Sequence, residues 1–278
     1  METFTNDGFT FEVTDAGPAE GEAIVLLHGF PESRAAYDEV TPSLAHAGYR
    51  VLVPNQRGYS RGARPKARRA YTLDRLSGDI VALLDQAGLA RAHIVGHDWG
   101  GGVAWDLAAN HADRVISMTS LATPHPRALV KAATRSTQGL KSIYMLGFQV
   151  PALPELGFTT RARQRMWQTM QRSGLPARYI DEYKRLFAEP GAARGALNWY
   201  RALPFSSPNG VGDVAVPTMY VYGTGDFALG RKAADLTANY VTGPYRYELF
   251  EGVSHWIPEE VPSRTAEAIL DFLGSLKP

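Results

Sequence analysis

The sequence predicts an α/β fold with a mostly parallel central sheet flanked by helices. Continuous apolar runs such as Ala23–Leu27 and Ala92–Val95 are typical of strands that are buried on both faces. These runs alternate with segments of helical periodicity, which is the pattern of a parallel sheet covered on both sides. Residues 124–208 differ, because they hold many aromatic residues and no clear buried strand. We expect them to form a helical insertion lying over the sheet.

The composition excludes several kinds of function. The 278 residues carry a formal net charge of +1, so no charge bias points to nucleic acid or to a membrane surface. There is no cysteine, which removes disulfides and thiolate catalysis. Met1–Asp7 lacks the basic region and apolar core of a signal peptide, and no apolar run is long enough to span a bilayer. We therefore expect a cytoplasmic protein with no nucleic-acid or membrane partner.

The elements before the insertion follow from hydrophobic spacing and turn signals. Alternating apolar residues on either side of Asp7–Gly8 predict an amino-terminal β-hairpin. In chain order the sequence predicts the hairpin strands Thr3–Thr5 and Phe9–Val13, the strand Ala23–Leu27, a helix over Tyr37–Ala47, the strand Tyr49–Pro54, a helix over Tyr71–Ala87, the strand Ala92–Val95, a helix over Gly102–Ala109 and the strand Arg114–Leu121.

After the insertion the strand pattern resumes. Apolar runs again alternate with amphipathic segments, so we expect this part of the chain to complete the same sheet. The predicted elements here are the strand Pro217–Tyr222, a helix over Lys232–Tyr240, the strand Arg246–Phe250 and a closing helix over Ser263–Leu276.

The turn after the strand Ala92–Val95 carries an aspartate framed by glycines, Gly96-x-Asp98-x-Gly100. A strand, a tight turn and a helix in this order form the nucleophile elbow G-x-S-x-G, here with aspartate where serine is usual. An aspartate just before a helix is more often an N-cap. The two framing glycines favour a nucleophile, because the elbow leaves no space for side chains beside it.

Two more residues complete a catalytic triad at strand ends. Asp226 follows the strand Pro217–Tyr222, and His255 follows the last predicted strand. The order nucleophile, acid, histidine is that of α/β-hydrolases. Taken alone, a turn aspartate and a lone histidine are ordinary. Asp213 and Glu251 are rival acids, but neither directly follows a strand. The three positions together predict the triad Asp98, Asp226 and His255.

The chain resembles the epoxide hydrolase family of α/β-hydrolases. The segments that match its signatures are His28-Gly-Phe-Pro-Glu-Ser33, Gly96-His-Asp-Trp-Gly-Gly101, Asn198-Trp-Tyr-Arg201 and Gly252-Val-Ser-His-Trp256. The resemblance implies an α/β-hydrolase core over residues 1–123 and 209–278. It also implies a helical cap over residues 124–208, inserted after the sixth strand. In this family an aspartate commonly stands where this chain has Asn55, which we interpret as a structural position.

The resemblance also assigns roles to individual residues. Tyr200 matches a cap tyrosine that grips the epoxide oxygen, and Tyr144 is the best match for a second one. The backbone N–H groups of Phe30 and Trp99 are the expected oxyanion hole. The same signature segments supply the residues expected to line the substrate pocket, which are His28, Pro31, Trp199 and Trp256.

The predicted reaction opens a small apolar epoxide to a vicinal diol. Asp98 is ionised without help and attacks the ring to form an alkyl ester. His255, oriented by Asp226, then activates the water that hydrolyses this ester. No cofactor is needed, and we expect no metal, because the other histidines lack metal-ligand grouping.

Two other functions stay open. A haloalkane dehalogenase would use the same triad, with Trp99 as one halide donor and Trp167 as a stand-in for the second. A ligand-binding relative without turnover is the alternative from a different class. The sequence leaves open the natural epoxide, the regiochemistry, the enantioselectivity and the biological pathway. It also leaves the oligomeric state open, a homodimer included.

Overall fold

The computed structural model describes residues 1–134, 147–150, 154–155, 162–206 and 210–277. Over these residues an eight-stranded sheet has the strand order β1-β2-β4-β3-β5-β6-β7-β8. The strand β2 pairs antiparallel with both of its neighbours, β1 and β4, and all the other neighbouring strands pair parallel. The strands are β1 Thr3–Asn6, β2 Phe9–Ala16, β3 Ala23–Leu27, β4 Arg50–Pro54, β5 Ala92–His97, β6 Val115–Leu121, β7 Thr218–Gly223 and β8 Tyr245–Phe250.

Helices cover both faces of the sheet. In the described part of the chain the α-helices are α1 Thr41–His46, α2 Leu73–Gln86, α3 Trp99–Asn110, α4 Pro126–Ala133, α5 Ala162–Arg172, α6 Ala177–Ala188, α7 Ala192–Ala202, α8 Arg231–Leu236, α9 Ile257–Glu260 and α10 Pro262–Ser275. The predicted α/β fold with a mostly parallel sheet is confirmed.

The strand β3 shows why the central strands read as continuous apolar runs. Val25 and Leu27 pack into a cluster with the helices α2 and α3, whereas Ile24 and Leu26 pack into a second cluster with α1 and α10. Successive side chains of a strand point to opposite faces. Both faces of this strand are therefore buried, and the strand needs apolar residues at every position.

Two predicted helices differ from the observed ones. A 3₁₀ turn over Arg34–Tyr37 ends where the predicted helix Tyr37–Ala47 begins, and the only α-helix within that segment is the short α1, which has Pro42 in its first turn. Proline lacks an N–H and is tolerated there but not inside a helix. The segment Lys232–Tyr240 ends as a 3₁₀ turn over Thr237–Tyr240, so only its first part is α-helical.

The described helices between β6 and β7 lie against the core through specific contacts. Tyr183 of α6 donates a hydrogen bond to Glu259 at 2.9 Å, and the Trp199 indole of α7 donates to the Arg57 carbonyl at 2.7 Å. Glu189 binds Arg61 at the same boundary. None of the helices described is both long and apolar enough to cross a membrane.

Candidate active site

Asp98 lies at a strained turn between β5 and α3. Its φ is 46°, in the region that non-glycine residues rarely adopt, and its side chain makes no capping hydrogen bond to the helix. A Cβ atom at Gly96 would lie 2.2 Å from the Gly100 carbonyl oxygen, and one at Gly100 would lie 2.1 Å from the Leu27 carbonyl oxygen. The glycines are thus required by close approach of the backbone, and the N-cap interpretation of Asp98 is wrong.

The loop after β3 holds one oxygen of Asp98. The Phe30 backbone N–H donates to Asp98 Oδ1 at 2.9 Å. Glu32 accepts the neighbouring Gly29 N–H at 2.7 Å, which fixes the loop, and the Phe30–Pro31 peptide bond is cis. The helix α3 begins at Trp99, and the first N–H groups of a helix have no partner within it. Backbone donors from two elements are therefore available beside the Asp98 carboxylate.

His255 lies between two carboxylates. Its Nδ1 is 2.8 Å from Asp226 Oδ2, and its Nε2 is 3.6 Å from Asp98 Oδ2. The other oxygen of Asp226 accepts the backbone N–H groups of Ala228 and Leu229 at 2.7 and 2.8 Å. These two bonds fix the direction of the Asp226 carboxylate, so the imidazole is held with Nε2 facing Asp98.

The rival acids lie elsewhere. Asp213 pairs with Arg127 at 2.7 Å, and the exposed Glu251 accepts a hydrogen bond from Thr224 at 3.0 Å. The structure therefore brings together the three residues that the strand ends predicted, and leaves both alternatives in surface contacts.

The charged groups of the triad shift one another's pKa values. Burial by itself lowers the pKa of His255, but the Asp226 and Asp98 carboxylates outweigh it and raise this pKa well above its usual value. Burial raises the pKa of Asp98, but the His255 imidazole, the nearby His97 and the Phe30 N–H together lower it by more, so the net shift is downward. The resting site therefore favours an ionised Asp98 beside a protonated His255.

A buried polar cluster beneath the triad was missed by the sequence reasoning. His97 Nε2 is 2.8 Å from the His255 carbonyl oxygen, and His97 Nδ1 is 2.8 Å from Glu32 Oε1. Glu259 completes a group whose polar atoms lie within 4.8 Å of one another. Burial and the nearby Glu32 raise the pKa of Glu259 to about 8, so it holds a proton at neutral pH. The only signal for Glu259 was an acid four residues after His255.

This cluster is the set of described residues that could ligate a metal ion. Glu32, His97 and Glu259 are fully buried. The 2.8 Å contact between Glu32 Oε1 and His97 Nδ1 is a hydrogen-bond distance between two of the ligand atoms themselves. A shared proton suits this geometry better than an ion, because a cation would have to enter between atoms already in contact.

Two apolar cavities meet at Asp98. The first, called the α4 cavity, has a volume of about 340 Å³ and is lined by Leu129 and Val130 of α4. The second, called the α5 cavity, has a volume of about 350 Å³ and is lined by Met166 and Met170 of α5. The residues that line both are Asp98, Tyr200 and Ala228.

Four of the remaining predicted site residues line one of these two cavities. Phe30, Pro31 and Trp256 line the α5 cavity, and Trp99 lines the α4 cavity. The Tyr200 ring packs edge-on against Phe30 and Trp99, with centroid distances of 5.2 and 5.0 Å. The predicted residue Tyr144 lies outside the described residues.

His28 and Trp199 do not line either of these cavities, which corrects their prediction as pocket residues. The Trp199 indole is directed to the Arg57 carbonyl oxygen, and the buried His28 ring packs edge-on against Tyr59 at 4.5 Å. Both side chains therefore support the wall of the site from behind. Trp167, the stand-in halide donor, packs against Phe187 and also lines neither cavity.

Comparison of the chain with known proteins identifies one family. A family model described as the α/β hydrolase fold matches residues 22–262. The chain is 34% identical to epoxide hydrolase A of Mycobacterium tuberculosis, over 98% of this chain and 96% of that protein. The chain belongs to the α/β-hydrolase family, among the epoxide hydrolases.

Two further comparisons support membership of the same family. The chain is 36% identical to the AB hydrolase superfamily protein YfhM of Bacillus subtilis, over 96% of this chain and 95% of that protein. A solved structure described as a novel epoxide hydrolase from hot-environment metagenomes superimposes with a TM-score of 0.88 at 28% identity, covering 98% of this chain and 97% of that one. The family resemblance and the α/β-hydrolase fold predicted from the sequence are confirmed.

Proposed function

We propose that this chain hydrolyses a small apolar epoxide to a vicinal diol through a covalent ester on Asp98. The main support for the proposal is that the two oxygens of the Asp98 carboxylate have different partners. Oδ1 accepts the Phe30 N–H, whereas Oδ2 faces His255 at the junction of two apolar cavities. One oxygen is thus held by a backbone donor, and the other is the proposed attacking atom.

In the first step Asp98 Oδ2 attacks a ring carbon. The new C–O bond to Asp98 forms as the ring C–O bond breaks, and the ring oxygen leaves as a strongly basic alkoxide. That alkoxide needs a proton, and a tyrosine hydroxyl is a suitable acid. Tyr200 is the proposed donor because it lines both cavities with Asp98, and Tyr144 is the proposed second donor from the family resemblance.

In the second step His255 acts as a base. Esterification removes the negative charge of Asp98, which is one of the charges that raise the His255 pKa. The pKa of His255 therefore falls once the ester has formed, so the imidazolium gives up its proton, which restores the tyrosine hydroxyl. The neutral imidazole can then accept a proton from water. The resulting hydroxide attacks the ester carbonyl carbon.

The negative charge of this attack develops on Oδ1. The Phe30 N–H already binds that oxygen, and the Trp99 N–H is the proposed second donor. Collapse of the tetrahedral intermediate expels the second alkoxide, which takes a proton from His255 to give the diol. The new carboxylic acid returns a proton to His255, which restores the ionised Asp98 and the protonated imidazole. Every step uses groups of this chain and one water, so we propose no cofactor.

The ester can be trapped by removing the base. We expect His255→Gln to react once with styrene oxide and to gain the mass of the whole epoxide, located to the peptide that contains Asp98. The matched control is Asp98→Asn in the same background, which should gain no mass. Wild type should show no adduct at steady state, because hydrolysis removes it.

A parallel incubation of His255→Gln with 1-bromohexane tests the dehalogenase alternative. A gain equal to the hexyl group, together with no adduct from styrene oxide, would contradict the proposal and support halide release. The non-catalytic alternative predicts that neither reagent gives an adduct and that wild type forms no diol. Phe30 stands where dehalogenases commonly place an asparagine donor, so we expect no hexyl adduct.

A further inference from the structure

We infer that Arg201 is a positioning residue for ring opening, because it ties residues 147–150 to α7 and thereby keeps the Phe148 ring against Tyr200. The inference rests on the proposed function and concerns the same site. Arg201 lines neither of the two cavities, so it acts through its neighbours and not on the substrate.

The Arg201 guanidinium is buried, and its donors bind two backbone carbonyls and one carboxylate. The side chain is only 3% exposed. Nε donates to the Phe148 carbonyl oxygen and Nη2 to the Val150 carbonyl oxygen, both at 2.8 Å. Nη1 and Nη2 also bind the two oxygens of Glu155, at 2.6 and 2.9 Å. A guanidinium presents its donors in a rigid planar fork, so this set of bonds fixes direction as well as distance.

The ion pair between Arg201 and Glu155 is formed at neutral pH. Burial by itself raises the pKa of Glu155, but the Arg201 guanidinium, the Glu155 backbone N–H and the charge of Arg194 together lower it by more. A buried guanidinium that lost these partners would leave an uncompensated charge, which is costly. Arg201 therefore holds the residues that it binds more firmly than an exposed ion pair would.

The residues that Arg201 holds contact Tyr200 in two ways. The Gln149 side-chain amide donates to the Tyr200 carbonyl oxygen at 2.7 Å. The Phe148 ring packs against the Tyr200 ring, with centroids 5.0 Å apart, and against the Phe30 ring at 5.7 Å. Aromatic pairs at such distances have preferred orientations. Phe148 therefore helps to set the direction of the Tyr200 ring, and with it the place of the hydroxyl.

Only the first chemical step depends on that hydroxyl. Tyr200 is the proposed acid for the alkoxide, whereas hydrolysis of the ester uses His255 and backbone donors. A small misplacement of a catalytic group is enough to slow its step. Loss of the Arg201 guanidinium should slow ester formation less than loss of the hydroxyl does, because Phe30 and Trp99 still contact the Tyr200 ring.

The first measurement isolates ester formation in the His255→Gln background, where the adduct is not removed. The rate constant is the rate at which the protein gains the mass of styrene oxide. Arg201→Met keeps a long side chain and removes the guanidinium, and we expect it to slow adduct formation about tenfold.

Arg64→Met in the same background is the matched control. Arg64 is also a nearly buried guanidinium, at 8% exposure, and it binds the Tyr59 carbonyl oxygen and the Glu189 carboxylate. It lines neither cavity. We expect both substitutions to lower the melting temperature, but only Arg201→Met to slow adduct formation. Equal rates of adduct formation in the two variants would overturn the inference.

The second measurement asks whether Arg201 acts through Tyr200. Tyr200→Phe removes the hydroxyl and should slow adduct formation about 10²-fold. Once the hydroxyl is absent its position no longer matters, so adding Arg201→Met should cost no more than about a further twofold. A general structural role predicts that the two losses multiply. A further tenfold loss in the combined variant would therefore overturn the inference.

Glu155→Gln keeps the experiment decisive if Arg201→Met fails to fold. It leaves the bonds to the Phe148 and Val150 carbonyls and replaces a charged acceptor with a neutral one. Adduct formation should slow by about threefold, because the charge-assisted bonds are weakened. An unchanged rate would overturn the inference. If His255→Gln itself gains no adduct from styrene oxide, the proposed ring opening fails, which is a different result.

Discussion

At the scale of single residues, Asp98 and His255 determine each other's protonation. The buried imidazole is protonated in the resting site because two carboxylates face it, and it becomes a base when one of them is esterified. In the proposed mechanism the same contact thus keeps Asp98 ionised for the first step and lowers the pKa of His255 for the second.

The coupling between Asp98 and His255 predicts how the pKa of His255 changes when the charge of Asp98 is removed. Asp98→Asn imitates the neutral ester, so we expect the pKa of His255 to fall relative to wild type, as measured by NMR titration of the imidazole. Asp213→Asn is the control, since Asp213 pairs with Arg127 at the surface. A His255 pKa that is unchanged or raised in Asp98→Asn would contradict the proposed change of role.

Tyr200 gives a second prediction at this scale. Tyr200→Phe keeps the ring contacts with Phe30 and Trp99 but removes the hydroxyl. We expect kcat for epoxide opening to fall about 10²-fold, because proton donation to the alkoxide is lost. Tyr179→Phe, near the start of α6, removes a hydroxyl that donates to Glu39 and lines neither cavity, so this control should keep kcat. Wild-type kcat in Tyr200→Phe would exclude Tyr200 as the principal acid.

Glu259 gives a prediction about pH and stability. Its pKa is raised to about 8 in the folded protein, chiefly by burial, whereas an unfolded glutamate has a pKa of about 4.3. The folded state therefore retains a proton that the unfolded chain releases. The stabilisation is complete below about pH 4 and is lost as the pH rises through about 8.

The measurement is the melting temperature between pH 5 and pH 9 in wild type and Glu259→Gln. Glutamine stays neutral, so we expect the variant to lose less stability than wild type as the pH rises over this range. Glu251→Gln, at an exposed position, should follow wild type. Parallel curves for wild type and Glu259→Gln would show that Glu259 is not the buried titrating group.

At the scale of elements, the elbow leaves very little space for a side chain beside Asp98. A Cβ at Gly100 would meet the Leu27 carbonyl oxygen at 2.1 Å, whereas one at Gly102, two residues on, would have its nearest neighbours at 3.9 Å. We expect Gly100→Ala to lower the free energy of unfolding by about 1–3 kcal/mol or more.

Gly102→Ala is the matched control on the same helix. We expect it to keep or raise the free energy of unfolding, because alanine favours a helix and meets no close contact there. Chemical denaturation of the two variants and wild type gives the comparison. Equal stability of Gly100→Ala and wild type would mean that the turn is not as tight as described.

The sequence predicted the strands and the residues at their ends better than the contacts of the inserted helices. A buried strand followed by a framed aspartate and a helix has local signals in turn chemistry and spacing, so Asp98, Asp226 and His255 were found at strand ends. The direction of the Trp199 indole had no such signal. It depends on the Arg57 carbonyl, which is distant in sequence and reaches α7 only in the folded chain.

At the scale of the whole molecule, the site lies where the sheet and the inserted helices meet. The loops that follow the strands carry Asp98, Asp226, His255 and Phe30, and α7 carries Tyr200. The link between these parts includes the hydrogen bond from Tyr183 to Glu259, beneath the triad. Such long-range contacts depend on how the inserted helices pack against the sheet and its loops. Hydrophobic periodicity does not specify this packing. This is why the cluster of Glu32, His97 and Glu259 was not predicted.

The central claim is that the oxygen added to the epoxide comes first from Asp98 and not directly from water. A single turnover of styrene oxide with excess wild-type protein in H₂¹⁸O tests it, with mass analysis of both the diol and the peptide containing Asp98. We predict a diol without the heavy oxygen and one heavy oxygen in the Asp98 carboxylate. Heavy oxygen in the first diol and none in Asp98 would contradict the covalent mechanism.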